Sequence, residues 1–202
     1  MIWNKEVECA DRSFFEQNTI DALKKETKWA YDNVKFYKEK FDSIGMKPED
    51  IKSLKDFQKL PFTVKTDLRD NYPYDLFAVP LHDIVRIHGS SGTTGKPIIV
   101  GYTKKDIDTW TECIARLVGM AGGCADDIAQ ICMGYGLFTG AFGLHQGLAK
   151  VGAMIIPMST GNTEKQIMMM KDFPLTIRFL YTAVVRNGTM EKSEARSKLS
   201  GH

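Results

Sequence analysis

The sequence predicts an α/β fold that contains at least part of a parallel sheet. Two apolar segments, "IAQICMGY" at 128–135 and "AMIIPM" at 153–158, have the composition of buried strands. Segments with helical spacing follow them, and a repeated strand–helix order is typical of parallel strands flanked by helices. Two further strand-like segments meet in the stretch "HGSSGTTGKPIIVGYT" at 88–103, which predicts a β-hairpin.

The first third of the chain predicts helices. Apolar residues recur at three- and four-residue steps over residues 12–41, which predicts one long amphipathic helix. Gly45 follows it in the position that a helix C-terminus favours. Proline suits the first turn of a helix and serine suits its N-cap, so short helices are expected at Pro48 and Ser53. One further helical turn is expected over residues 65–70.

The second half continues the strand–helix order. A capping-box pattern at residues 103–106 predicts the start of a helix. Further helices are expected over 144–151 and 163–173. The segment "PLTIRFLYTAVV" at 174–185 has the composition of a strand, whereas the residues after it contain almost nothing to bury and are expected to be disordered.

Composition excludes several classes of function. The chain has 202 residues, of which 43% are hydrophobic and 26% charged, with a net charge of +2. So small a charge does not favour nucleic acid or an anionic membrane as partner. The apolar runs fall short of the roughly 18–20 residues that a membrane span needs, and no secretory signal is evident. Four cysteines without CxxC spacing predict free thiols, so a cytoplasmic protein is expected.

The glycine-rich stretch has the chemistry of a polyphosphate site. Glycines let backbone N–H groups approach a ligand, hydroxyls add neutral donors, and a lysine adds positive charge. A Walker loop is excluded because Pro97 stands at its Ser/Thr position and a strand follows. The glycine spacing also excludes a Rossmann fingerprint. The alternative is a solvated hairpin turn, but such a turn needs only one or two residues of this kind.

The motif "SSGTTGKP" resembles the phosphate-binding loop of the adenylate-forming enzymes, the acyl-CoA synthetase and ligase superfamily. The segments "GYGLFTGAFGLHQG" and "VGAMIIPMSTGNTEKQ" narrow the resemblance to the AMP-forming phenylacetate–CoA ligases, and it extends over residues 10–173. It implies the N-terminal portion of the large domain, with a partial parallel sheet, flanking helices and a β-hairpin phosphate loop.

The resemblance also implies an activity and a set of site residues. Such ligases convert a carboxylate and MgATP to an acyl-adenylate, which the thiol of coenzyme A then attacks. The residues implied in binding the ATP phosphates are Ser90, Ser91, Gly92, Thr93, Thr94, Gly95 and Lys96. Lys96 is also the candidate catalytic residue. ATP, Mg²⁺ and coenzyme A are the implied cofactor and co-substrates, and no protein metal ligands are predicted.

Tyr135, Gly136 and Phe138 are expected to form the pocket for an aromatic acid. The resemblance implies this role, and two rings on a glycine-rich loop are independently suited to hold a phenyl group. The alternative is that these rings are ordinary core aromatics beneath a loop. His145, on a predicted helix, is expected to pack or to form a hydrogen bond rather than to act as a catalytic base.

The resemblance ends near Phe173. We therefore expect residues 1–173 to be the N-terminal part of an AMP-binding domain and residues 174–202 to be a divergent tail. The half that binds adenine and ribose and the C-terminal lid are expected to be absent, as in a truncated gene. Three readings stay open: a phenylacetate–CoA ligase, a ligase for another aryl acid, and an inactive remnant or binding module. All three imply small-molecule ligands and leave homo-oligomerisation open.

Overall fold

A computed structural model describes residues 2–90 and 97–180 of the chain. The predicted phosphate-loop residues 91–96 and residues 181–202 of the predicted tail lie outside the described residues. The chain divides into two compact units. Residues 4–109 form the N-terminal unit, and residues 110–180 with Ile2 and Trp3 form the C-terminal unit. None of the helices in these ranges combines the length and apolar character that a bilayer crossing requires.

The N-terminal unit begins with a series of helices: α1 (Lys5–Glu8), α2 (Arg12–Asn33), α3 (Lys35–Ser43), α4 (Leu54–Phe57) and α5 (Lys65–Asp70). The prediction of one helix over residues 12–41 was wrong, because Val34 separates α2 from α3. Its backbone is extended, with φ −125° and ψ 108°, and its side chain is 2% exposed. A β-branched side chain loses rotamer freedom in a helix, which makes valine a suitable residue at this break. The predicted amphipathic pattern over residues 12–41 is confirmed, since Thr27 and Phe41 are both buried.

The predicted boundaries of the shorter elements are confirmed. Gly45 has φ +67°, and its N–H donates to the Asp42 carbonyl at 3.1 Å, as expected after the end of α3. A short 3₁₀ helix spans Pro48–Asp50. Ser53 caps α4 because its Oγ accepts from the Asp56 N–H at 3.4 Å.

The predicted hairpin consists of β1 (Ile84–Gly89) and β2 (Ile99–Thr103), which pair antiparallel. His88 lies opposite Val100 and Gly89 opposite Ile99, so the strands converge on the predicted phosphate loop. In β2, a Cβ added to Gly101 would lie 2.6 Å from Cε2 of Phe77. Only glycine therefore lets this strand pack so closely on the Phe77 ring.

Helix α6 (Lys104–Met120) follows β2 directly and contains residues of both units. The predicted capping box is confirmed: the Asp106 carboxylate accepts from the Thr103 N–H at 2.9 Å, and Thr103 Oγ1 accepts from the Asp106 N–H at 3.2 Å. These two bonds satisfy backbone donors that a helix start leaves unpaired.

The C-terminal unit contains the predicted parallel sheet. Its remaining elements are β3 (Ile128–Cys132), α7 (Gly140–Val151), β4 (Met154–Ile156), α8 (Thr163–Asp172) and β5 (Ile177–Leu180). Strand β3 is central and pairs in parallel with β4 on one side and β5 on the other. The predicted α/β class is confirmed. Strand β5 lies after residue 173, and the division of the chain at that residue stays a prediction.

Helices cover both faces of β3. Ala129 and Ile131 are fully buried in a core shared with Ala115 of α6 and Leu148 of α7. Gln130, which points the other way along the strand, donates through Nε2 to the Gln166 carbonyl of α8 at 3.3 Å. This double coverage explains why β3 is apolar with almost no alternation.

Two predictions for this unit were wrong. Helix α7 begins at Gly140 rather than at Leu144, so part of the expected glycine-rich loop is helical. The segment at 153–158 does form strand β4, but it is not a buried strand, since Met154 is 57% exposed. Among the described strands β4 pairs only with β3, and this edge position explains its exposure.

Candidate functional site

The base of the predicted phosphate loop is closed by Ser90. Its N–H donates to the Ile98 carbonyl at 3.0 Å, and its Oγ accepts from the Ile98 N–H at 3.1 Å. The side chain therefore extends the hairpin pairing by one step beyond Gly89. Ser90 was predicted to contact phosphate. Its oxygen is used structurally, but its hydroxyl proton is still able to donate.

An aromatic pair that contains a buried histidine lies on the hairpin near this loop base. His88 is 2% exposed, and its ring meets that of Tyr102 edge to face, with 5.5 Å between centroids. Such pairs contribute about 0.5–1.5 kcal/mol beyond the burial of their area. The hairpin thus offers the loop a rigid base.

The second predicted site lies at the carboxyl edge of the parallel sheet. Residues 133–139 follow β3, and residues 157–162 follow β4. Because parallel strands end at the same edge, both loops lie there, where open α/β sheets bind ligands. The loops are close to each other, since a Cβ added to Gly134 would be 3.6 Å from Cγ2 of Thr160.

The structure brings Tyr135, Gly136 and Phe138 together on the loop after β3, but in different environments. Tyr135 is half-buried, and its ring meets that of Phe142 edge to face at 5.4 Å. Phe138 is 65% exposed. A Cβ added to Gly136 would meet nothing within 4 Å. The loop therefore presents a half-buried ring at Tyr135 and an exposed ring at Phe138. Gly136, which lies between them in the sequence, faces open space.

The Tyr135 hydroxyl has a partner on the following helix. It lies 3.1 Å from Nδ1 of His145, and the two rings are 5.8 Å apart at 83°. Burial raises the pKa of the Tyr135 phenol, so its neutral form is favoured. The prediction that His145 packs and forms a hydrogen bond is confirmed.

Sequence reasoning did not single out the loop after β4. Ser159, Gly161 and Asn162 all have positive φ, at 62°, 85° and 47°. Gln166, which is 2% exposed, donates through Nε2 to the carbonyls of Ser159 at 3.1 Å and Gly161 at 2.7 Å. A left-handed serine costs about 1 kcal/mol or more, and these bonds hold it. The signal was the turn-forming run "STGN" between a strand and a helix.

The described residues contain no group of three or more His, Cys, Asp or Glu side chains that could hold a metal ion. Ser90 belongs to the N-terminal unit, and the three pocket residues belong to the C-terminal unit. Ser91, Gly92, Thr93, Thr94, Gly95 and Lys96 lie outside the described residues. Their roles stay predictions.

Comparison with curated proteins identifies clear relatives, although no protein-family profile matches the chain. The chain is 54% identical over 167 residues to the phenylacetate-coenzyme A ligase of Escherichia coli (strain K12) and 50% identical over 167 residues to that of Aromatoleum evansii. It is 42% identical over 173 residues to that of Thermus thermophilus. The first two matches cover 83% of this chain and 38% of the relative. The chain therefore spans about two fifths of the length of the curated relatives it matches.

The chain is also similar to solved structures of an acyl-CoA ligase. A crystal structure of 2-hydroxyisobutyryl-CoA ligase in complex with 2-HIB-AMP and CoA matches with a TM-score of 0.73 and 26% identity, over 80% of this chain and 35% of that one. An open conformation of the same ligase matches with a TM-score of 0.78 over 85% of this chain and 41% of that one; at 22% identity it shows the fold alone. The chain is therefore similar in sequence to the phenylacetate-coenzyme A ligases, as its motifs predicted, and similar in fold to the N-terminal part of an acyl-CoA ligase.

Proposed function

We propose that this chain provides the ATP-phosphate loop and the acid pocket of an AMP-forming ligase that activates phenylacetate as its coenzyme A thioester. The observation that carries the proposal is the 42–54% identity to phenylacetate-coenzyme A ligases over most of the chain. Two features support it: the β1–β2 hairpin flanks the predicted phosphate loop, and the predicted pocket residues lie on the loop after β3, at the carboxyl edge of the parallel sheet.

A thiol can displace a carboxylate oxygen from the acyl carbon only after that oxygen has become part of a better leaving group. A carboxylate oxygen of the acid attacks the α-phosphorus of ATP, the bond from that phosphorus to the bridging oxygen breaks, and pyrophosphate leaves. The thiol of coenzyme A then attacks the acyl carbon, and AMP leaves as the proton of the thiol is lost. Backbone N–H groups, hydroxyls and Lys96 of the loop would neutralise charge that develops on the departing pyrophosphate. Mg²⁺ would enter with ATP and share that task.

In this proposal the aromatic loop binds the phenyl group. Contacts with Phe142 and His145 restrain Tyr135, so its ring would form a rigid wall. The exposed ring of Phe138 offers apolar surface, and the open space at Gly136 leaves room for a ligand. Rigid aromatic walls lower the entropy cost of binding because little side-chain freedom is lost.

The first test measures pyrophosphate release with MgATP, coenzyme A and phenylacetate. We expect release from the wild-type chain and its loss in Lys96→Ala. Gly136→Ala is the matched probe of the acid site: its φ is not in the left-handed region and its Cβ has space, so it should fold normally and weaken phenylacetate binding. Pyrophosphate release with another aryl acid but not with phenylacetate would show that the substrate is that other acid.

A second candidate is binding without turnover. The match covers 38% of the curated relatives, which favours testing affinity separately from activity. Bound ligand raises the melting temperature by mass action, so a shift with phenylacetate or MgATP but no pyrophosphate would support a binding module. No shift with either ligand would count against both candidates. A cytoplasmic location remains our prediction, and the oligomeric state stays open.

A further inference from the structure

Tyr135 and His145 form a pair that joins the aromatic loop to helix α7. Tyr135 lies three residues after the end of β3, and His145 lies in the second turn of α7. The hydroxyl and Nδ1 are 3.1 Å apart, and both residues are half-buried. The pair therefore fixes a loop residue to an element whose position is set by the core.

The core makes α7 a firm support. Leu148 and Ala141 of this helix are 0% and 1% exposed, and Gly143 packs so closely on Trp110 that an added Cβ would lie 2.5 Å from Cζ2. A side chain on α7 cannot shift without disturbing these contacts. The edge-to-face contact of Tyr135 with Phe142 restrains the ring from a second direction.

We propose that His145 is a positioning residue. By its hydrogen bond to the Tyr135 hydroxyl, it fixes the Tyr135 ring as a wall of the acid pocket. This rests on the proposed function of the Tyr135 loop. Either neutral tautomer of the imidazole keeps the bond: Nδ1 accepts the hydroxyl proton in one, and Nδ1–H donates to the hydroxyl oxygen in the other. With its hydroxyl occupied, Tyr135 presents its ring to the ligand. Because this bond uses one hydrogen-bonding position of the hydroxyl, an aryl acid that carries a ring hydroxyl finds one fewer partner position on this residue.

The test measures dissociation constants of phenylacetate and 4-hydroxyphenylacetate for the full chain. His145→Leu should weaken phenylacetate binding by roughly 5-fold, as loss of one hydrogen bond implies. It should also reduce the preference for phenylacetate, because the freed hydroxyl can then offer its donor and its acceptor positions to the second acid. His145→Asn, whose side chain offers both an acceptor and a donor, should restore affinity and preference. His82→Leu, at a histidine whose side chain is 80% exposed, is the matched control and should change neither.

Tyr135→Phe keeps the proposal testable if His145→Leu does not fold. It retains the ring and removes the hydroxyl, so it should weaken phenylacetate binding to a similar degree. In that background His145→Asn should have no further effect. Unchanged affinity and unchanged preference in the folded His145→Leu or Tyr135→Phe variant would overturn the positioning role while leaving the proposed function intact. A wild-type chain that binds neither acid would instead overturn the proposed function, and the positioning role with it.

Discussion

Replacing Gly147 by alanine sets helix propensity against packing. Gly147 lies inside α7, where alanine is favoured over glycine by about 1 kcal/mol. An added Cβ, however, would lie 2.2 Å from Cγ2 of Ile114, 2.6 Å from its Cβ and 3.0 Å from its carbonyl carbon. The nearest atoms belong to a branched side chain close to its backbone, so they cannot swing aside, and α6 and α7 would have to separate.

The magnitude follows from these two opposing effects. Overpacking a core costs about 1–3 kcal/mol, and contacts this short with backbone-proximal atoms belong at the upper end. Subtracting about 1 kcal/mol of helix propensity leaves a net loss of about 2 kcal/mol. For a chain of this size, a loss of that amount lowers the melting temperature by about 4–8 °C.

Thermal unfolding followed by circular dichroism, with urea unfolding in parallel, measures this loss. Gly136→Ala is the matched control and should leave the melting temperature unchanged, since its Cβ meets nothing within 4 Å. The penalty should shrink in an Ile114→Ala background, because the closest atom, Cγ2, is then absent. A higher melting temperature for Gly147→Ala would refute the reasoning, since propensity alone predicts that result.

Three further predictions concern hydrogen bonds and ionisation. Ser90→Ala should speed hydrogen exchange at the Ile98 amide roughly 5-fold, because the amide loses the Ser90 Oγ as its acceptor. Ser90→Thr keeps a hydroxyl and should not change the exchange rate. Equal exchange in the two variants would exclude the proposed closure of the loop base. Hydrogen bonds from Lys38, Lys47 and Tyr31 hold the pKa of Asp42 well below its ordinary 3.8, so the stability it contributes is present above that value and is lost as the pH falls through the lowered pKa. Asp42→Asn should therefore be less stable at pH 7 and lose less stability in acid, as urea titrations at several pH values would measure. Burial raises the pKa of the Cys132 thiol above its ordinary 9.0. The unfolded chain therefore loses this proton first, and the free energy of unfolding should fall as the pH rises above 9. Cys132→Ala should make this fall smaller, and an equal fall in both proteins would contradict the prediction.

Local signals were enough to predict many elements. The capping box at Thr103, the serine N-cap at Ser53 and the glycine after α3 all lie where they were expected. Each depends on groups only a few residues apart, so the sequence contains the whole interaction. The hairpin and the buried strand β3 were predictable for the same reason, because their composition alternates or stays apolar over a short span.

Errors arose where a neighbour distant in sequence decides the conformation. Gly140 and Gly143 favour a loop by propensity, yet both are helical, and each packs closely against a side chain, that of Met133 or Trp110. Val34 interrupts the predicted helix with an extended backbone, and its side chain is buried. Strand β4 is apolar but lies at the edge of the described sheet. Local propensity amounts to about 1 kcal/mol or less per residue, and tertiary packing exceeds it.

By itself the sequence determined the fold class, the strand–helix order and the residues proposed to hold phosphate and the aromatic acid. Those properties depend on residue type, on short spacings and on short motifs. Only the tertiary structure decided that Ser90 closes the loop base through Ile98, and that Tyr135 is bound to His145. It also decided that the loop after β4, held by Gln166, lies beside the aromatic loop. These arrangements follow from which helix faces and strand ends meet, and such meetings depend on the packing of the whole unit rather than on any one segment.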